Sequence, residues 1–231
     1  LITCPGVVGV DVNGVIFFSY PTVYLTTGGS VNYDDYTNAI TGGTDITDAT
    51  VVVTNDTTEE SITLTFNPAS GGNMGYYGGS QEFIHTAGQN VSVKITAGEN
   101  TFTGASNQTP NSFTFITSPT EGANIYFADQ PFDLVWTFNA GSYPATHIAV
   151  YIVNANTDPH IYKWAIVPIN QESYEISGLP VANGYYITAW PVNIMSFTGG
   201  GSLIGYVGSD SMTDMTVMVN IITIIYMVEK K

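Results

Sequence analysis

The segment Val91-Ser92-Val93-Lys94-Ile95-Thr96 alternates apolar and polar side chains. Successive side chains of a β-strand point to opposite faces, so this period of two buries one face and leaves the other in water. Short runs of β-branched and aromatic residues, separated by Gly, Asn, Asp and Pro, recur on both sides of the segment. Apolar residues at helical spacing are absent from every stretch of ten or more residues. The sequence therefore predicts an all-β fold of the sandwich type.

Similar runs predict a first sandwich around this segment, with glycine-rich turns at residues 71–73 and 78–80. The early Ala49–Val53 run and the late Gly-x-x-Val-x-Val-x-Ile strand resemble the transthyretin-type modules of bacterial surface proteins. The predicted strands are Ala49–Thr54, Ser61–Phe66, Gly75–Phe83, Val91–Ala97 and Ser112–Ile116.

A second pattern follows the turn-rich junction at Ser118–Gly122. Phe132–Thr137, with Trp136 as its core tryptophan, and His147–Val153 resemble the second and third strands of a fibronectin type III or related Ig-like domain. Tyr174–Pro180 and Gly184–Trp190 resemble the Leu-Pro corner and the tyrosine strand of that family. The resemblance covers roughly 75 residues and implies a fold, not an activity.

These patterns predict two tandem β-sandwich domains, Ig-like or transthyretin-like, behind an extended N-terminal strand. The predicted segments are an arm at residues 1–22, a first sandwich at 23–117 and a second sandwich at 118–231.

The charge balance restricts the partners of the chain. It has 19 acidic residues against four lysines and no arginine, a net charge of −15. Binding to nucleic acid or to an anionic membrane surface requires clustered cations, so neither partner is expected. Only Lys94 and Lys163 lie away from the end of the sequence, which leaves trypsin-like proteases few cleavage sites. We therefore expect an extracellular protein at a cell surface. The sequence begins at Leu1 and shows no secretion signal, which fits a mature protein whose leader has been removed.

Residues that carry catalysis are scattered. His85, His147 and His160 lie far apart, and Cys4 stands alone near the start of the sequence. No Gly-x-Ser-x-Gly elbow occurs, and the adjacent acidic residues at 34–35 and 59–60 face different directions on a strand or turn. The sequence predicts no enzymatic activity.

Ligand sites also have weak signatures. Oxygen-rich turns at 11–14, 45–48 and 210–214 offer calcium ligands, but none completes an EF-hand loop. We expect no cofactor, with structural calcium as the alternative. Trp164 and Trp190 are candidate sugar platforms, Lys163 is a candidate for an isopeptide bond, and Cys4 follows a lipobox-like Leu-Ile-Thr. The alternatives are buried packing for the two tryptophans, a snorkelling side chain for Lys163 and an unmodified thiol for Cys4. Asn55, Asn90 and Asn107 begin Asn-x-Ser/Thr sequons, which permit glycosylation.

The N-terminal arm carries a long alternation over residues 8–20, in which Val15 and Phe17 interrupt the polar face. An ordinary strand has about 5–6 residues, so this run is long enough to cross a sandwich. The arm resembles the donor strands of pilins, in which an apolar extension completes the open sandwich of the next subunit. The alternative is that the arm forms the first strands of its own domain. The candidate interface residues are Val8, Val10, Val12, Gly14, Ile16 and Phe18.

A second candidate interface strand lies near residue 221, where apolar residues occupy both faces. A strand that is covered on both faces lies between layers or at a subunit contact. This interface strand comprises Ile221, Ile222, Ile224, Ile225 and Tyr226.

The arm and the composition together predict a structural subunit of an extracellular filament or pilus-like polymer, assembled from copies of itself by β-strand donation. The alternative is a monomeric cell-surface lipoprotein or Ig-like binding module with a carbohydrate or protein ligand.

Overall fold

The computed structural model describes residues 12–17, 21–27, 30–31, 40–41, 44–68, 75–79, 83, 85–119, 124–127, 130–154, 162–179, 182–199, 202–208 and 216–222. These ranges contain twenty β-strands and no helix. In the first half of the chain, the strands are β1 (Val12–Phe17), β2 (Thr22–Thr27), β3 (Ser30–Val31), β4 (Ile40–Thr41), β5 (Thr44–Asp45), β6 (Thr50–Asn55), β7 (Glu60–Asn67), β8 (Tyr76–Gly78), β9 (Asn90–Ala97), β10 (Asn100–Gln108) and β11 (Phe113–Ser118). In the second half, they are β12 (Asn124–Phe127), β13 (Phe132–Asn139), β14 (His147–Asn154), β15 (Tyr162–Pro168), β16 (Ser173–Ile176), β17 (Ala182–Met195), β18 (Phe197–Thr198), β19 (Ser202–Gly208) and β20 (Thr216–Ile222).

Fifteen of these strands form one sheet in the order β12-β20-β17-β19-β1-β2-β8-β7-β6-β9-β10-β18. Strands β14, β15 and β5 branch from this path, β11-β13-β16 form a second sheet, and β3-β4 form a third. Most pairs are antiparallel; β1–β19 and β12–β20 are parallel. The all-β class predicted from the sequence is confirmed, and its antiparallel sheets are compatible with a β-sandwich.

Two clusters of buried apolar side chains lie on these sheets. The first cluster gathers around β2, β6 and β9, whose inward residues alternate with exposed or half-buried ones. Lys94 is exposed between buried Val93 and Ile95, as the alternation predicts. The first core comprises Val23, Leu25, Ile46, Val51, Val53, Leu64, Tyr77, Phe83, Val91, Val93, Ile95, Ala97, Phe102, Met195 and Val207.

The second core lies between the β11-β13-β16 sheet and strands β14, β15 and β17. Trp136 is 3% exposed, which confirms its predicted place in a core. The second core comprises Leu134, Trp136, Ile148, Val150, Ile152, Ala165, Val167, Ile176, Leu179, Tyr185, Ile187 and Ala189.

Strand β17 contributes to both cores. Tyr185 and Ile187 pack in the second core, whereas Met195 packs in the first. Val207 of β19 joins Met195 there, although it comes late in the chain. The first core thus draws side chains from both halves of the sequence. Separate folding of the two segments, as the boundary after Thr117 would require, stays a prediction.

The strand predictions differ from the structure at particular places. The sequence predicted no strand at β10, which pairs with β9. Its segment Asn100–Gln108 contains Gly, Ser, Asn and Gln, and its one large buried apolar side chain is Phe102. The predicted strand Gly75–Phe83 is shorter, since β8 covers three residues. The run predicted at 184–190 instead continues to Met195.

Two glycines, Gly104 of β10 and Gly208 of β19, leave room for side chains of β17. A Cβ on Gly104 would overlap the Met195 sulfur, and a Cβ on Gly208 would overlap the Trp190 indole. Gly199 has a φ of +114°, and a Cβ at this position would overlap the Thr101 carbonyl oxygen. Strand β18, which ends just before Gly199, pairs with β10.

The hydroxyl of Tyr77 holds the segment that leads into β6. Tyr77 is 2% exposed; its O–H donates to the Ile46 carbonyl at 2.7 Å and accepts from the Ala49 N–H at 2.8 Å. Burial raises the pKa of Tyr77 above its usual 10.0; the Ala49 N–H lowers it and the Asp48 carboxylate raises it, with a net upward shift. The neutral phenol is therefore the form that the fold favours.

Tyr77→Phe should lower the free energy of unfolding by about 1–3 kcal/mol, because it leaves a buried carbonyl and N–H without their partner. The matched control is Tyr186→Phe, at a side chain 45% exposed, which should change stability by less than about 0.5 kcal/mol. Urea unfolding at neutral pH measures both. Because the folded-state pKa is raised, the contribution of Tyr77 is complete below about pH 10 and is lost as the pH rises further. Equal effects of the two variants would contradict this role.

Candidate assembly site

Strand β1 is an interior strand of the large sheet. It pairs antiparallel with β2, from Val12 opposite Thr27 to Phe17 opposite Thr22. On its other edge it pairs in parallel with β19, from Asn13 to Phe17. Both edges of β1 are therefore paired, and β2 and β19 meet only through it in the sheet order.

The neighbours of β1 build one side of the first core. Val23 and Leu25 of β2 are buried, and Val207 of β19 is buried with them. The register places Ile16 opposite Val23 and Gly14 opposite Leu25. Removing β1 would leave two unpaired strand edges beside this core, which is the usual template for pairing with another chain.

The predicted arm residues fall partly in this strand. Val12, Gly14 and Ile16 lie in β1, in the described registers. Val8, Val10 and Phe18 lie outside the described residues. β1 and β2 are consecutive strands, separated in the sequence by residues 18–21, and they pair antiparallel.

The second predicted interface strand begins in β20. This strand lies between β12 and β17, parallel to the first and antiparallel to the second. Ile221 pairs with Tyr126 and Ala182, and Ile222 pairs with Phe127. Ile224, Ile225 and Tyr226 lie outside the described residues. Both edges of β20 are therefore paired within the sheet, and its role in a contact between domains or subunits stays a prediction.

A buried amide connects β17 to the ends of β10 and β14. Asn193 is 7% exposed; its Oδ1 accepts from the Thr146 N–H at 3.0 Å, and its Nδ2 donates to the Gln108 carbonyl at 2.8 Å. Asn107 Nδ2 donates to the Ile194 carbonyl at 2.6 Å, and the Ala105 N–H donates to the Ser196 carbonyl at 2.9 Å. Side-chain amides and one backbone bond thus continue the hydrogen bonding of β17 where its pairing with β14 ends.

Sequence reasoning missed this connection. The sequence marks Asn107 only as a sequon residue, and Asn193 stands between the apolar residues Val192 and Ile194. A lone asparagine within an apolar run, Trp190–Met195, is a usable signal, because a buried amide needs partners on both its oxygen and its nitrogen.

The described histidine and acidic residues do not form a cluster that could hold a metal ion. His85 is buried, with Nδ1 3.1 Å from the Thr109 hydroxyl, and its ring contacts Phe83. His147 begins β14, and partial burial lowers its pKa. Within the described ranges, no group of three or more His, Cys, Asp or Glu residues is placed to hold a metal ion.

Of the predicted calcium turns, 45–48 is described throughout, whereas residues 12–14 of the turn predicted at 11–14 lie in strand β1. Residues 11 and 210–214 lie outside the described residues. In the 45–48 turn, Asp45 Oδ2 accepts the Gly75 N–H at 3.1 Å, and Asp48 is exposed. Trp190 is buried, 5% exposed, which disfavours it as a sugar platform. Lys163 and Trp164 lie in β15, opposite Ile152 and Tyr151. Cys4 and His160 lie outside the described residues.

The described part of the chain contains no helix that is long and apolar enough to cross a membrane. The chain matches no protein-family model, and comparison with curated proteins found no similar chain.

Deleting residues 1–20 should make the protein aggregate, because it exposes the edges of β2 and β19 beside the first core. Light scattering and size-exclusion chromatography measure the aggregation. A synthetic peptide of residues 7–20, added during refolding, should restore a soluble species by filling the gap. A peptide of the same composition in scrambled order is the control. A soluble, folded, monomeric truncation would show that β1 is dispensable.

Proposed function

We propose that this chain is a structural subunit of an extracellular filament or pilus-like surface polymer, in which β1 of one copy completes the sheet of the next. The observation that carries the proposal is the position of β1 between β2 and β19, paired along both edges. Only the short segment 18–21 joins it to β2. An identical strand from a second copy can take the same place with the same registers.

Exchange of an identical strand costs little free energy, because the backbone pairs of β1 are the same within one chain and between two. The main change is opening of the connection at residues 18–21. Each copy that donates β1 still presents its own gap between β2 and β19 to another copy. Such a head-to-tail contact is heterologous, so it forms an open filament unless the rotation closes a ring.

Composition and resemblance support the same proposal. The arm resembles pilin donor strands, and the second half resembles fibronectin type III or Ig-like modules, which extracellular proteins often use in tandem. A surface supplied mainly by Thr, Asn, Ser, Gly and Tyr, with four lysines in the whole chain, suits a location outside the cell. The expected partners are copies of the same chain, not nucleic acid or an anionic membrane, and no enzymatic activity is expected.

The alternative is a monomeric cell-surface lipoprotein or Ig-like binding module, with a carbohydrate or protein ligand. The pairing of β1 with β2 of the same chain favours this alternative, because a filled sheet needs no donor. The two functions differ in which copy supplies β1, and that difference is measurable.

A cysteine pair across β1 and β2 identifies the donor. Val15 and Tyr24 are directly opposite, and opposite residues of an antiparallel pair have Cα atoms about 4.5–5.5 Å apart, within disulfide range. Val15→Cys/Tyr24→Cys, in a Cys4→Ser background, should give a ladder of covalent oligomers on a non-reducing gel after oxidation of assembled protein. A single monomer band containing an internal disulfide would support the monomeric alternative instead.

The matched control is Thr54→Cys/Ser61→Cys, across β6 and β7. These positions are opposite, with hydroxyls 2.9 Å apart, in strands that the proposal does not exchange. This pair should form only an internal disulfide under the same oxidation. A ladder from the control as well would mean that the oxidation reports aggregation and not exchange of β1.

Ile16→Asp should make a subunit that accepts a donor strand but cannot donate its own. Ile16 lies opposite Val23, which is 0% exposed, and a carboxylate without a partner in an apolar site costs at least several kcal/mol. Mixed with wild-type protein at one part in ten, the variant should shorten the filaments seen by electron microscopy. Val15→Asp, one position along the strand, is the control and should shorten them less. Filaments of unchanged length in both mixtures would contradict donation by β1.

A further inference from the structure

The fold gives the three sequon asparagines different surroundings. The folded protein accommodates a glycan only on a side-chain Nδ2 that is exposed to solvent and that the fold does not need as a donor. The sequons begin at Asn55, Asn90 and Asn107, and the structure describes all three side chains.

The Asn55 amide is used by the fold on both of its ends. The side chain is 1% exposed, and its Oδ1 accepts the N–H groups of Thr57 and Thr58 at 3.1 and 3.3 Å. Its Nδ2 donates to Gln89 Oε1 at 2.9 Å, and the same Gln89 oxygen accepts the Thr86 N–H at 2.8 Å. A sugar on this nitrogen would separate the turn after β6 from the turn before β9.

The Asn107 amide is used as well. The side chain is half-buried, and its Nδ2 donates to the Ile194 carbonyl at 2.6 Å. This bond is part of the connection between β10 and β17. A sugar on this nitrogen would push the two strands apart.

Asn90 has the opposite environment. It is the first residue of β9 and its side chain is exposed. The backbone of Asn90 is held on both sides, because its N–H donates to Thr57 Oγ1 at 2.9 Å and its carbonyl accepts the Asp56 N–H at 2.8 Å. Its side-chain amide makes no hydrogen bond to another described residue. The adjoining turn, residues 56–59, is exposed throughout.

We infer that Asn90 is an N-glycosylation site, and that the folded, secreted protein carries its glycan there and not on Asn55 or Asn107. The donor is an oligosaccharide linked through pyrophosphate to a lipid. The Asn90 Nδ2 forms a bond to the anomeric carbon of the sugar while the bond from that carbon to the phosphate oxygen breaks. The lipid pyrophosphate leaves with the electron pair, and the amide loses one proton to a base of the transferase.

The inference needs passage through a glycosylating secretory pathway, but it does not depend on strand exchange. A glycan that is added at Asn55 or Asn107 before folding removes a hydrogen bond that the fold uses. Such molecules fold poorly and are depleted from the secreted protein. Selectivity for Asn90 thus arises from the folded state, although all three sequons satisfy the motif.

The full chain, secreted from cultured eukaryotic cells behind a supplied leader, tests the inference. Cleavage after glutamate places each sequon in a separate peptide: residues 1–59, 83–99 and 100–121. Mass spectrometry before and after enzymatic glycan removal, which converts the modified asparagine to aspartate, measures occupancy at each site. We expect glycan on the 83–99 peptide, with the other two recovered unmodified.

The variants separate modification from folding. Asn90→Gln should be secreted at wild-type yield and should lose the glycan mass. Asn55→Gln should keep the glycan mass at a reduced yield. Two results would overturn the inference: glycan on peptide 1–59 or 100–121 of the secreted protein, or an unmodified 83–99 peptide while a control glycoprotein from the same cells is modified.

Discussion

Both edges of the 14-residue strand β17 must be hydrogen-bonded, because much of this strand is buried. No single neighbour satisfies the whole of it. Strand β14 pairs along 185–192, β20 along 182–188 and β19 along 192–195. The position of β19 next to β17 in turn places β1 and β2, so the large sheet is built outward from this strand. Because β17 runs past both groups of neighbouring strands, its side chains enter both cores.

Neutral polar groups make the connections that salt bridges make in many proteins. With four cations in 231 residues, the chain has few partners for its carboxylates, and an unpaired buried charge costs far more than a hydrogen-bonded amide. Asn193 and Asn55 are buried with their amide groups bonded on both ends. Thr114 donates its hydroxyl to the Ala189 carbonyl at 2.6 Å, a bond that joins strands of two different sheets. The abundance of Asn and Thr therefore has a structural use besides solubility.

The exchangeable strand and the inferred glycan lie in different parts of the sheet. Four strands, β2, β8, β7 and β6, separate β1 from β9 in the sheet order. A glycan on Asn90 therefore occupies neither of the edges that β1 pairs with. A subunit can carry the modification and still offer the gap between β2 and β19 to another copy, so the two proposals are mutually compatible and independently testable.

The amino-acid pattern determined the class of the fold and most of its strong strands. Where buried and exposed residues alternate, as in Val91–Ala97, the burial of each side chain follows from the period of the strand. Strand β10 was not predicted, because most of its side chains are small or polar and its stability comes from pairing with β9. The path of β17, the buried amide of Asn193 and the return of Met195 and Val207 to the first core were decided only by tertiary structure. The arm at residues 8–20 shows the same division: its alternation predicts a strand, but a strand pattern contains no information about which neighbours satisfy its two edges. Strand β2 follows β1 directly in the chain, whereas β19 lies nearly two hundred residues further on. Only the folded backbone brings the three strands together.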